Sequence, residues 1–161
     1  MNRSRAAIVG AVVAAQALFV GVAVANQLSA RTTGTEYLLR VGPVDPIDPF
    51  RGAYVALAYP DLPLPGDAWE PSNTQGERGT VFVPLIQNGK YWVGDGLLRE
   101  RPAAGVYLIC DTRSWRLRCG IESWFLPQEK AAAAAAQFAT TAFARVKIDG
   151  RGNAALLRVE P

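Results

Sequence analysis

The sequence contains no histidine and only two cysteines. The first absence excludes nucleophiles activated by imidazole and any zinc site built on histidine. The second excludes a four-cysteine zinc site and leaves room for one disulfide at most. Charge is also scarce. Only 19% of residues are charged, Lys and Arg outnumber Asp and Glu by 17 to 14, and no basic run occurs. A nucleic-acid surface shows itself as such a run or as a strongly basic face, so that function class drops out. What remains names no cofactor and no metal. With 161 residues and 50% hydrophobic content, the chain is too apolar for disorder and fits one domain.

Charge is missing altogether from residues 6–25, an apolar run interrupted only by Gly10, Gln16 and Gly21. Twenty helical residues span about 30 Å, the thickness of a bilayer core. Arg3 and Arg5 precede the run with no acid nearby, which orients residues 1–5 toward the cytoplasm. The expectation is a single-pass signal anchor over residues 6–25, a polar linker over 26–34, and an exported domain over 35–161. That puts the protein in an inner membrane, with its C-terminal domain in the periplasm or outside the cell. Ala23-Val24-Ala25 also reads as a signal-peptidase site, so a secreted domain starting at Asn26 is the alternative.

Beyond the linker the pattern is mainly β. Residues 36–41 and 53–59 read as strands, the latter placing Tyr54, Ala56 and Ala58 on one face and Val55, Leu57 and Tyr59 on the other. Between them Pro43, Pro46 and Pro49 make a stiff, non-helical bend. Residues 60–79, rich in Pro, Gly and Asp, read as a long loop. Strands over 80–87 and 90–93 flank Asn88-Gly89, the dipeptide that most strongly signals a hairpin. A second hairpin joins 105–111 to 116–125, and a third joins 143–149 to 153–160 across Gly150-Arg151-Gly152. The alanine run 131–136 after Glu129-Lys130 reads as a short helix. The fold class is therefore an antiparallel β domain of about seven or eight strands with one short helix, carried on an N-terminal transmembrane helix.

Cys110 and Cys119 lie symmetrically about the second hairpin's midpoint, so they face each other on neighbouring strands. Opposed Cβ atoms stand about 4.5–5.5 Å apart, near bridging distance, and the spacing favours a disulfide. Two buried free thiols packed as small apolar groups are the other reading.

The segment Arg51-Gly52-Ala53-Tyr54-Val55-Ala56-Leu57-Ala58-Tyr59, following Pro43-Val44-Asp45-Pro46-Ile47-Asp48-Pro49-Phe50, resembles the signature of the bacterial GDYXXLXY family. Val81-Phe82-Val83-Pro84-Leu85 with Tyr91-Trp92, Gly120-Ile121-Glu122 with Phe125 and Pro127, and Ala144-Arg145-Val146-Lys147-Ile148-Asp149 are similar to that family in order and spacing. The likeness covers roughly residues 35–160. Two positions depart from it: Ala53 stands where the family has Asp, and Gln128 separates Pro127 from Glu129. The resemblance implies an N-terminally anchored, exported domain, in a family without an assigned activity.

Candidate binding residues are Asp45, Asp48, Arg51, Tyr54, Tyr59 and Glu122. Asp45 and Asp48 each precede a proline, where aspartate builds turns, and Arg51 reads as their ion-pair partner. Tyr54 and Tyr59 read as sheet-packing residues with bonded hydroxyls. Glu122, on a strand with Trp124, is the best single catalytic candidate, because a half-buried carboxylate can be held protonated. An anchored β domain with an Arg-Gly-x-Tyr-Val strand invites comparison with type I signal peptidases. None of Ser29, Ser72, Ser114 and Ser123 stands in a nucleophile motif with Lys90, Lys130 or Lys147, however. The sequence thus favours a non-catalytic accessory or interaction module for a membrane-protein partner. An exported hydrolase using Asp45, Asp48 or Glu122 is the alternative.

Overall fold

A computed structural model describes residues 3–45, 54–63, 79–114, 116–125 and 142–160. Among them are one helix, α1 (Arg3–Thr33), and eight strands: β1 (Thr35–Asp45), β2 (Tyr54–Ala58), β3 (Thr80–Asn88), β4 (Tyr91–Gly94), β5 (Val106–Asp111), β6 (Ser123–Phe125), β7 (Ala142–Ile148) and β8 (Ala154–Glu160). The expected short helix over 131–136 lies outside the described residues.

β1 is the hub of a curled mixed sheet. Its first half, 35–41, runs antiparallel to β7, which pairs with β8. On its other edge Leu39 meets Trp92 of β4 in the one parallel pairing among the described strands, and β4 leads to β3 and β5. Past Gly42 the strand turns away to pair with β2, and β2 pairs with β6. A bulge between Pro43 and Asp45 accompanies that turn. It fits a proline that cannot donate to a ladder. The bend expected from Pro43 onward is therefore still strand as far as Asp45.

Alternation sets the core. Val81, Val83 and Leu85 of β3 face inward opposite Cys110, Leu108 and Val106 of β5. Ala142, Ala144, Val146 and Ile148 of β7 are all buried, with Phe143, Arg145 and Lys147 between them less so. Two alanines there let β1 and β8 curl tightly around β7. The curl brings the β7–β8 turn against β5, where the Ile109 amide donates to the Gly152 carbonyl at 2.9 Å. Outside, Arg145 holds Glu160 at 2.9 Å and Glu36 at 3.4 Å. The hydrogen bonds from Arg145 and Arg158 pull the Glu160 carboxyl down to about 2.

Two hairpins differ from the sequence expectation. The β3–β4 turn is Gly89-Lys90, not Asn88-Gly89: Asn88 remains in the ladder opposite Tyr91, and Gly89 alone takes a positive φ of 64°. The second hairpin is shorter than expected. A single bridge, Asp111 with Arg118, exchanges both backbone bonds at 2.8 and 3.0 Å, after which the chain leaves β5 and β6 joins β2 instead. The residues just outside a fully bonded pair form the closer, non-bonded kind. Cys110 and Cys119 occupy that place, with Cα atoms 4.1 Å apart, and are joined in the expected disulfide. Closing so small a ring contributes roughly 2–3 kcal/mol in the loop-entropy account.

The N-terminal part differs more. Residues 26–33, read as a linker, are the last turns of α1, which runs unbroken from the apolar segment into the β domain. Among the described residues no helix is long and apolar enough to cross a membrane. Along α1 the large apolar side chains of Ile8, Val9, Val12, Val13, Leu18, Phe19, Val20 and Val24 are 50–77% exposed.

Candidate functional site

Tyr59 and Glu122 are the two candidate residues whose side chains are described, and the fold brings them together. The Leu57 amide donates to the Glu122 carbonyl at 2.9 Å, which extends the β2–β6 pairing by one bond and sets Glu122 just before β6. From there its carboxylate turns back. One oxygen accepts from the Cys119 amide and the other from the Gly120 amide at 3.1 Å. Gly120 sits at φ 81°, the sharp corner that lets two successive amides point at one carboxylate. The Tyr59 hydroxyl donates to the Ile121 carbonyl at 2.7 Å. Burial, and then the nearby Glu122 charge, push that hydroxyl well above the usual phenol range.

This constellation holds a loop in place. Both Glu122 oxygens bind backbone amides next to the disulfide, and the tyrosine closes the same loop from the β2 side. Glu122→Ala therefore leaves two amides without their acceptor, and we expect it to lower stability by about 1–3 kcal/mol, from two charge-assisted bonds. Chemical denaturation of the detergent-solubilised full chain measures this, and an unchanged midpoint would show that the loop is held without Glu122.

Of the other candidates, Asp45 and Tyr54 have a described backbone. Asp45 ends β1 opposite Ala56, and Ala56 is opposite Ser123. That register sets Asp45 two strand spacings, about 10 Å, from the β6 edge next to Glu122. Its side chain, that of Tyr54, and the whole of Asp48 and Arg51 lie outside the described residues. No cluster of three acidic or thiol groups suited to a metal ion occurs among the described residues. The acidic residue that pairs with an arginine of β1 is one the sequence reading overlooked. Arg40 grips Asp61 through two bonds, with Nε to Oδ2 at 2.8 Å, and the Asp61 carbonyl accepts from the Gly94 amide at 2.9 Å.

A second constellation, also unforeseen, joins α1 to the sheet. Asp149, only 7% exposed, follows β7. Its carboxylate accepts from the Ser29 hydroxyl at 2.6 Å, from the Arg151 and Asn153 amides at 2.9 Å each, and from Asn153 Nδ2 at 2.9 Å. Burial alone would raise the carboxyl, but these donors outweigh it and hold the group below the usual aspartate range. Ala30 is fully buried beside it, and Lys147 Nζ donates to the Arg31 carbonyl at 3.0 Å, so a cation sits at the negative end of the helix. Gly34 ends α1, its amide bonded to the Ala30 carbonyl, where a Cβ would collide with that oxygen. The only local sequence sign of this joint was Asp149 before Gly150 with Asn153 four residues on, the pattern of a side-chain-capped turn.

Comparison with curated proteins and with solved structures finds no match. Among protein families, residues 16–159 match the one described as GDYXXLXY protein. The match begins inside α1, takes in the α1–sheet joint as well as the region of the signature motif, and stops one residue short of the end of β8. It spans most of the sequence, so the chain belongs to the GDYXXLXY family.

Proposed function

We propose that α1 is a retained single-pass anchor in a bacterial inner membrane, and that the β domain is a non-catalytic, extracytoplasmic interaction module for a membrane-protein partner. The observation that carries this reading is the continuity of α1. Its apolar part exposes large side chains on nearly every side, as a lipid-facing helix does. Its last turns are locked to the sheet by Ser29, Ala30 and the Arg31 carbonyl. A domain bolted to its anchor without a flexible spacer keeps one height and one tilt above the bilayer, which suits docking onto a neighbour in the same membrane. Helical backbone across Ala25–Asn26 is unlike the extended form a processing protease grips, and so supports retention over cleavage. Glu122, committed to two amides, offers no free carboxylate for the hydrolase alternative.

The test is flotation of the full chain with phosphatidylcholine vesicles, followed by alkaline carbonate extraction. The expected result is a protein that floats, resists extraction and retains residues 1–25. Release into the carbonate supernatant, or a mature N-terminus at Asn26, overturns the anchor. Recovery from mild detergent as a monomer that never holds a membrane protein overturns the partner.

A further inference from the structure

We propose that the side of α1 carrying Gln16 is a docking face for a transmembrane helix of the partner protein, one that offers a hydrogen-bonding side chain at mid-bilayer depth and stops at the bilayer surface; this rests on the reading of α1 as an anchor with a membrane-protein partner. Gln16 is the one polar side chain in the charge-free run 6–25, and it stands at the middle of that run. With α1 across a bilayer it lies about 15 Å from either surface of the hydrocarbon core, farther than its side chain reaches. It is exposed, its amide has no hydrogen-bond partner among the described residues, and Val12, Ala15, Phe19 and Val20 line a shallow groove with it. Water satisfies such an amide but hydrocarbon does not, so in a bilayer the group needs a neighbouring helix that donates and accepts. A Gln, Asn, Ser or Thr at the same depth supplies both.

The β domain decides which helix fits there. Ala30, fully buried, lies nearly four full turns beyond Gln16, so the two point within about 40° of each other. Gln27, beside Gly120, and Ser29, bonded to Asp149, bracket Ala30 on either side. The domain therefore lies beneath the groove, about 21 Å along the helix axis from Gln16. Packed helices stand about 8–10 Å apart. A second copy, inserted in the same direction and packed on this groove, would drive its own β domain into the space the first one fills. A helix whose chain ends or turns back at the bilayer surface meets no such obstacle, and its end would rest above the β domain. Multi-span membrane proteins supply helices of that kind. One side of α1 thus turns both the unsatisfied amide and the domain below it toward a single partner.

Fluorescence energy transfer in phosphatidylcholine vesicles tests the face, between the full chain labelled at its N-terminus and a labelled Leu-Ala transmembrane peptide with one central Gln and Lys at both ends. The expected result is association about three- to fifteenfold stronger than for the same peptide with Leu at its centre, the range that single interhelical hydrogen bonds give. The difference is expected to vanish in Gln16→Leu, and when the peptide's Gln is moved two turns toward one end. The native chain is expected to show no Gln16-dependent transfer between its own copies. Equal association of the two peptides overturns the proposal, and so does a preference that survives in Gln16→Leu. Gln16-dependent self-association also overturns it, by showing that a second copy takes the face. A chain that floats with phosphatidylcholine but does not prefer the Gln peptide removes the docking face and leaves the anchor standing; a chain that fails to float removes both.

Discussion

Replacing Asp149 by alanine is expected to cost about 4 kcal/mol, the largest loss of any single polar substitution in the described sheet. The group is buried, and four donors from three residues converge on it: the Ser29 hydroxyl, the Arg151 and Asn153 amides, and Asn153 Nδ2. Hydrogen bonds to a charged acceptor contribute about 1.5–3 kcal/mol each when lost singly, and buried donors left without a partner add a desolvation penalty. Shared among neighbours in one turn, these do not add fully. Asp149→Asn keeps one acceptor oxygen but points an amide at another donor, and we expect about 2 kcal/mol. Ser29→Ala removes a single bond and should cost about 1 kcal/mol. A double-mutant cycle on Ser29 and Asp149, read by urea denaturation in detergent, isolates the helix–sheet term. Faster amide exchange over residues 27–33 in Asp149→Ala would show that the loss is felt in α1. A cycle with no coupling would mean that the helix is held by Ala30 packing alone.

The same group sets a pH dependence. Because Asp149 is held below the ordinary aspartate range in the folded protein, its contribution is fully present above the unfolded value of about 3.9. It is lost as pH falls below that value and through the folded one. Acid destabilisation as pH falls below about 4 should therefore be shallower in Asp149→Asn than in the native chain. The protein has no histidine to add a transition near neutrality.

Much of the β pattern could be read from residues close together in the chain. The β7–β8 hairpin was visible because alternation on both strands brackets Gly150-Arg151-Gly152, and the cysteine pair because its spacing centres on one turn. Readings failed where pairing was decided at a distance. Residues 116–121 alternate like a strand, but Gly120 turns the chain at φ 81° and β6 finds its partner in β2, far back in sequence. Residues 26–33 are polar enough to pass for a linker, yet their polar groups are the ones that dock: Ser29 and Asp149 are 120 residues apart, and nothing local pairs them. Of the candidate site, Tyr59 and Glu122 were found by residue type: Tyr59 packs on the core with its hydroxyl bonded, as read, whereas the two amides that the Glu122 carboxylate holds lie on a corner no local pattern signals. The Asn88-Gly89 turn was displaced by one residue, because the ladder keeps Asn88 opposite Tyr91 and needs only one residue with positive φ.

Gly152→Ala is the second substitution expected to have a large effect, about 3 kcal/mol, because it strikes where the curled sheet meets itself. Gly152 sits at φ 86°, a conformation that costs an alanine about 1–2 kcal/mol. A Cβ there would lie 2.5 and 2.7 Å from two ring carbons of Tyr107 and 3.1 Å from Ile109. The ring cannot swing away freely. It packs edge-on against Phe82 at 5.8 Å, and its hydroxyl reaches the Gly150 carbonyl at 3.4 Å. Overpacking of this kind adds about 1–3 kcal/mol. The Gly152 carbonyl also accepts from the Ile109 amide, so any shift of the turn weakens the bond that joins it to β5. Gly150→Ala is the internal control: a Cβ there meets nothing within 4 Å and the φ is ordinary, so its effect should stay within 0.5 kcal/mol of zero. Gly152→Ala combined with Tyr107→Leu should recover part of the loss by removing the overlap while leaving the backbone strain. Urea midpoints for the four proteins, with amide exchange at Ile109, separate the two terms. A Gly152→Ala protein as stable as Gly150→Ala would mean that the turn does not hold the sheet closed against β5.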